Sequence, residues 1–396
     1  MNRTLLSLLT PLLLFFALIL FALQVLLPQA SAENTAPELT WAWRKNFKNA
    51  ELHNLAAAWN GSLFAVAVTD RSPAKNKGEV IIGVDADSKV IKDWKIGKKV
   101  RNLALDGGGT LLFAELEDGT FHIYDHWKTK TQPMTLPVKV REAIVSPKSG
   151  LIVASVVNND GTSSLRAFSG KAKQLWKYES VPADGWMGMF PFAEKDKTVL
   201  LASKTGKITL FEDAKPLWSI DTGGGLSSLS SSFLQGSLIA AASAGDKGSV
   251  RFFDDKGTQT AMSGLPSERI SLSCADAGEA CAALTINKTD RELRFLSPQG
   301  KELWKARFPA ATLATSAVVA ADHARIVITA VEQQGKESLR AWDAKGKVLW
   351  NAPIEGGIKE WKTSWNGKKI IVVTKDSRLV FFNLEPRKTS APGAGK

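Results

Sequence analysis

After residue 32 the chain becomes a succession of short runs in which hydrophobic and polar positions alternate, split by clusters of Gly, Asp, Asn and Lys. A period of two is the mark of half-buried strands, and almost nothing shows the spacing of a helix's apolar face. Two units recur. The first is a strand, a tight turn and a second strand: Ala56–Val68 echoes Lys362–Thr374, and Leu103–Glu115 and Ala143–Ser155 follow the same plan. The second is an alternating strand, a polar turn of the type Asp-x-x-Gly-Lys, and a strand carrying Trp. Ser338–Ile354 matches Glu292–Phe308 and Ser164–Ser180, with weaker copies at Lys207–Asp221, Ser249–Met262 and Glu79–Ile96. Joined in order, the two units give four strands about every 43 residues, which is one blade of a β-propeller.

Blade starts fall near His53, Val100, Val140, Ala183, Leu226, Arg269, Ala311 and Ile358. The last blade has only three strands in Ile358–Asn383, while Trp43–Phe47 (WRKNF) has the pattern of a fourth strand such as Trp304–Phe308 (WKARF). The expected fold is therefore all-β, an eight-bladed β-propeller over residues 33–387, closed by the N-terminal strand Thr40–Phe47 completing the C-terminal blade. Closure removes the sheet edges that invite aggregation. Trp176, Trp218, Trp304 and Trp350 hold one place in the repeat, which predicts packing between blades, and Trp59 and Trp365 form a second equivalent pair. Residues 388–396 read as a disordered basic tail.

The Leu-Trp ending after an Asp-x-x-Gly-Lys turn resembles the repeat of the pyrroloquinoline quinone (PQQ) propellers, over nearly the whole of the chain after residue 32. Two branches of that superfamily bear on function. The quinoprotein dehydrogenases imply a bound quinone, a calcium site and a catalytic carboxylate. The cofactor-free branch, which includes the periplasmic propeller subunit of the outer-membrane β-barrel assembly machine, implies a protein-binding scaffold. That subunit is a lipoprotein, whereas this chain has no cysteine near its N-terminal apolar run.

Composition changes the picture at the N-terminus. Leu5–Leu27 is almost wholly apolar behind Arg3, and Ala30-Ser31-Ala32 offers the small residues of a signal-peptidase site. Residues 1–32 read either as a cleaved signal peptide or as an anchor in the inner membrane, since the run is long enough to span a bilayer. Both place the body in the periplasm. In that compartment Cys274 and Cys281, flanking a turn-prone ADAGEA, are expected to form a disulfide. The formal charge of +12 suits an envelope or membrane protein complex with an acidic face, anionic lipid or acidic cell-wall polymer, and this compartment makes nucleic acid a poor partner.

The candidates for chemistry thin out quickly. The cysteines are not adjacent and the blades are minimal, without an insertion able to cap a quinone, so no cofactor is expected; a PQQ-binding enzyme or small-molecule sensor is the alternative reading. His122 and His126 lie too far apart on an extended strand to share a metal. Asp85 and Asp87 belong to a turn that lacks the Gly and distal Glu of a calcium loop. Gly223–Gly225 and Gly356–Gly357 fall between blades with no helix to follow, and no G-x-S-x-G elbow occurs. The expectation is a non-catalytic protein. The apolar DGWMGMFPF, with Trp186, Met187, Met189 and Phe190, departs from the repeat and is read as core or as a partner patch. Counted back from the inner hairpin turn, Arg101, Arg141 and Trp361 take one place in three blades. With Lys359 they read either as a rim of solvated charges or as a mouth of the central channel that receives an acidic partner segment.

Overall fold

The computed structural model describes residues 38–385 except 48, 72–78, 86, 88, 126–132, 147, 149, 159, 161, 182–185, 192–197, 233–237, 276, 289, 310–311, 320–325 and 365–366, with backbone only at 38–43, 180–181, 186–191, 313 and 385. The expected signal or anchor segment and the basic tail lie outside these residues. Eight four-stranded antiparallel sheets account for the described chain, and seven of them are simple up-and-down meanders. Blades 1 to 8 begin with inner strands Ala50–Ala57, Val100–Leu105, Val140–Val145, Trp186–Pro191, Ser228–Ser231, Arg269–Cys274, Thr312–Val319 and Ile358–Thr363. These starts fall within a few residues of those expected from the repeat.

The final sheet contains Ile358–Thr363, Lys369–Thr374 and Arg378–Glu385, and its outermost strand is Glu38–Asn46 from the other end of the sequence. The register runs from Glu38 opposite Glu385 to Asn46 opposite Arg378, with one irregularity between Trp41 and Trp43. Ring closure by the N-terminal strand is thus observed.

A single blade has two faces and cannot bury both alone. The buried side chains accordingly form eight clusters, each between two neighbouring blades. At the closure, Phe64 of blade 1 meets Phe381 of blade 8 edge-on, with ring centroids 5.3 Å apart. Both rings are buried, and each contributes about 1.5–3 kcal/mol by leaving water.

The repeat's signature has a packing cause. Trp304, on the outermost strand of blade 6, stacks on Trp342 of blade 7 at 5.9 Å. The same indole lies against Gly346 in the Asp343–Lys347 turn of blade 7, where an added Cβ would meet the ring at 3.0 Å. Trp218 of blade 4 packs on Gly257 of blade 5 in the same way and donates its Nε1–H to Asp255 O at 2.8 Å. Gly346 also has a positive φ of 80°, so the position excludes a side chain twice over. The aspartate that opens the turn accepts the backbone N–H groups of Lys345 and Lys347, each at 2.8 Å. The tryptophan of one blade and the Asp-x-x-Gly of the next are two halves of one contact.

The leucine before that tryptophan has a different role. Leu175, Leu217 and Leu303 are each the extra residue of a β-bulge on an outermost strand, as are Ile91, Thr260 and Leu349. In blades 3, 4 and 6 the bulge turns tryptophan inward and leaves its neighbouring leucine exposed on the circumference, while Leu349 of blade 7 is half-buried.

Candidate functional site

All eight inner strands run the same way along the channel, so their first residues gather at one mouth and their hairpin turns at the other. Near the first mouth the ladder between the inner strand and the next is broken by a bulge in six blades. The extra residue is Arg101 in blade 2, Arg141 in blade 3, Met187 in blade 4, Thr315 in blade 7 and Lys359 in blade 8. In blade 1 it is Asn54, one position closer to the turn, with a positive φ of 51°. The inner strands of blades 5 and 6 pair without interruption.

This register corrects one equivalence expected from the sequence. Lys359, not Trp361, holds the place of Arg101 and Arg141 in blade 8. Trp361 pairs with Val372 as Leu103 pairs with Ala114. It is half-buried against the apolar side chains between blades 7 and 8, and its Nε1–H donates to Ser316 Oγ at 2.8 Å. Trp186 opens the inner strand of blade 4 opposite Ser203.

The three cations differ in what they are free to do. Arg101, with 40% of its side chain exposed, pairs with the buried Glu115. It also donates to the carbonyl oxygens of Val140, at 3.3 Å, and Arg141, crossing from blade 2 to blade 3. Lys359 donates to Glu51 Oε1 at 2.7 Å, while Arg71 donates to Oε2 of the same carboxylate at 2.6 Å. Those two hydrogen bonds hold the Glu51 carboxyl down at about 2. Arg141 is exposed and has no ion-pair partner among the described residues. Beside it, burial pushes the Glu142 carboxyl up, against the opposing pull of Arg101 and Arg141. Arg269, at the start of the inner strand of blade 6, is likewise exposed without an ion-pair partner among the described residues. Sequence reasoning marked Arg269 as a blade start and missed it as a cation of this mouth.

The wall behind these groups is polar. The buried Glu79 accepts the Val100 N–H at 2.6 Å and the Thr69 hydroxyl at 2.9 Å, and His53 Nε2 lies 3.1 Å from the same carboxylate. Glu360 Oε2 accepts the Leu55 N–H at 3.0 Å, joining blade 8 to blade 1.

At the far mouth Cys274 and Cys281 stand directly opposite each other where the inner hairpin of blade 6 turns, and they form a disulfide with Cα atoms 4.0 Å apart. His122 is held by Tyr124, Nδ1 to Oη 2.9 Å, and burial lowers the imidazole's proton affinity and raises the phenol's. His126 and Trp365 lie outside the described residues. The Asp85 carboxylate accepts the N–H groups of Asp87 and Lys89 at 3.0 and 2.8 Å, as its turn requires.

The family described as outer membrane protein assembly factor BamB matches residues 289–389. Among solved structures, BamB from Moraxella catarrhalis is 16% identical, with a TM-score of 0.58 over 87% of this chain and 100% of that one. Sqt1 of Chaetomium thermophilum, solved bound to the N-terminus of ribosomal protein L10, is 14% identical, with a TM-score of 0.61 over 87% of this chain and 100% of that one. The C-terminal WD40 domain of Sif2 is 14% identical, with a TM-score of 0.63 over 88% and 99%. No curated protein matches the chain significantly. The chain is thus similar to PQQ-like repeat propellers and resembles BamB.

Proposed function

We propose that this propeller is a non-catalytic periplasmic scaffold for a membrane or envelope complex, with outer-membrane protein assembly the nearest analogy, and that its bulged mouth receives an acidic segment of a protein partner. One observation carries the site: Arg141 is the extra residue of a bulge at the channel mouth, exposed, and without an ion-pair partner among the described residues. Arg101 and Lys359 frame it but are already engaged, with Glu115 and with Glu51. They set the shape of the mouth, and Arg141 supplies the recognising charge. The apolar run Leu5–Leu27 and the Ala30-Ser31-Ala32 site support an exported body. The match to the BamB family supports the assembly analogy, and a fold of this kind fixes no function by itself.

The test is in-cell crosslinking followed by mass spectrometry, comparing the wild type with Arg141→Glu and with the double variant Arg101→Glu/Arg141→Glu. Arg141→Glu is the cleaner probe, because Arg101→Glu also strands Glu115. Loss of the main partner's binding by about thirtyfold is expected for a recognising arginine. Unchanged binding in both variants sinks the mouth as the site. Attachment that a high-salt wash removes from isolated envelope fractions would assign the charge to lipid or wall polymer instead. Calcium-dependent uptake of PQQ by the purified chain would overturn the non-catalytic reading.

A further inference from the structure

The outer circumference holds a second surface, independent of the mouth. Every blade of a propeller ends in an outermost strand whose outer edge offers unpaired N–H and C=O groups, a template for another strand. Most blades here carry a device against that pairing. Blade 1 has Lys92, Asp93 and Lys95 on Val90–Lys95. Blade 2 ends in a strand of only two residues, Met134–Thr135. Blade 3 has Lys177 and Glu179, blade 4 has Lys215, Pro216 and Asp221, and blade 6 has Glu302, Lys305 and Arg307. Blade 7 has Pro353, and in blade 8 the closing strand itself carries Arg44 and Lys45.

Blade 5 is the exception. Its outermost strand, Gln259–Gly264, reads QTAMSG, with neither a charge nor a proline. After the bulge at Thr260 the pairing with the third strand is regular, from Ala261 opposite Phe252 to Gly264 opposite Ser249. The Leu265 N–H then continues it to Gly248 O at 2.8 Å. Met262, at 58%, is the most exposed large hydrophobic side chain among the described residues. Ala261 stands where blades 3, 4, 6 and 7 carry tryptophan.

We infer that the outer edge of Gln259–Gly264 is a docking site for an extended segment of a net-acidic partner protein, which adds to blade 5 as a fifth strand. The pairing residues of that segment are uncharged, with an apolar side chain against Met262, because the edge offers only amides, small side chains and one thioether. Backbone hydrogen bonds give such a contact its strength, and alternate side chains give it selectivity. A net charge of +12 on each copy works against a second copy of this chain and favours an acidic protein.

The experiment uses the intact propeller and a capped peptide of alternating Thr and Val flanked by Asp, read by backbone hydrogen exchange. Slowed exchange confined to alternate amides of Ala261–Gly264 is expected. A peptide N-methylated on the pairing amides should give none. Met262→Lys should weaken binding about tenfold, and Met262→Leu should retain it, which separates the edge from the fold. Three results overturn the inference: no protection at this strand, equal protection at the guarded strand Glu302–Phe308, or protection that grows with protein concentration in the absence of peptide, which would make the occupant a second copy. None of these bears on Arg141, so the two surfaces stand or fall separately.

Discussion

Blades 8, 1, 2 and 3 and blades 5, 6 and 7 join their inner strands by different chemistry. On the first side the strands are bulged, and the links between blades are long polar side chains. Glu360 reaches the Leu55 N–H, Asn54 Nδ2 donates to Val100 O at 2.7 Å, and Arg101 reaches two carbonyls of blade 3. On the second side the links are serines. Ser228 and Ser230 of blade 5 accept the N–H groups of Leu272 and Cys274 of blade 6, at 3.0 and 2.9 Å, and Ser273 of blade 6 accepts that of Val319 of blade 7 at 3.1 Å. A serine oxygen reaches one bond beyond Cβ, so it bridges strands only where they lie close: along the uninterrupted strands of blades 5 and 6, and at Val319 of blade 7, four residues past the bulge at Thr315. A bulge breaks that fit and needs a longer arm. In blades 2, 3 and 8 the bulge that costs a ladder pair also places a cation at the mouth, whereas in blades 1, 4 and 7 the extra residue is Asn54, Met187 or Thr315.

The disulfide belongs to the smooth side and should show the largest effect. Cys274→Ser/Cys281→Ser is expected to lower stability by about 2–3 kcal/mol, read as a shift of the urea midpoint with unchanged slope. A loss below about 0.5 kcal/mol would mean that the serine links hold this sector without it. Next come the serines: Ser228→Ala and Ser230→Ala each leave a backbone N–H of blade 6 without its acceptor and should cost about 1 kcal/mol. Arg141→Ala, whose side chain makes no described hydrogen bond, should stay within about 0.5 kcal/mol. Equal losses in the three variants would erase the distinction between the sides.

The smallest effect is on the bulged side and depends on pH. Glu51 has its folded value near 2 against an ordinary 4.5 because Lys359 and Arg71 donate to it. A depressed carboxylate contributes stability that is present above its unfolded value and lost as pH falls through its folded one. Wild type should therefore lose more stability than Lys359→Met between pH 4.5 and 2, by a modest margin since the pair is solvent-screened. Parallel acid-denaturation curves for the two proteins would show that the contact does not hold blade 8 to blade 1.

The ring was legible because its period is carried by packed side chains: Trp218 and Trp304 each lie against a glycine of the next blade, Gly257 and Gly346, so the pair recurs in register. The closing strand was legible for the same reason, through Trp43–Phe47. The mouth was only half legible. Bulges leave no mark in an alternating pattern, and the turn glycine of blade 2 is hidden in Gly107–Gly109, where the third, with φ of 69°, corresponds to Gly367. Counting from the first glycine moves the equivalence from Lys359 to Trp361. That Arg101 and Lys359 are already neutralised depends on Glu115 and Glu51, one on the neighbouring strand and one in the next blade, which no local pattern reveals. Gln259–Gly264 reads as a weak copy of the repeat because it lacks the tryptophan and the charges, and that lack is its distinguishing feature.

The pairing of Glu38–Asn46 with Arg378–Glu385 also has a consequence in time. A ribosome makes the chain from its N-terminus, so the first strand of the ring to appear is paired with the last. Blades 1 to 7 can each form from contiguous sequence as they emerge, but Glu38–Asn46 must wait until nearly the whole chain has been made. Until then blade 8 is absent and blade 1 is open on one side, with Phe64 bare of Phe381. Folding of the ring is therefore gated by the arrival of its last blade, and until then the apolar face of blade 1 stays open.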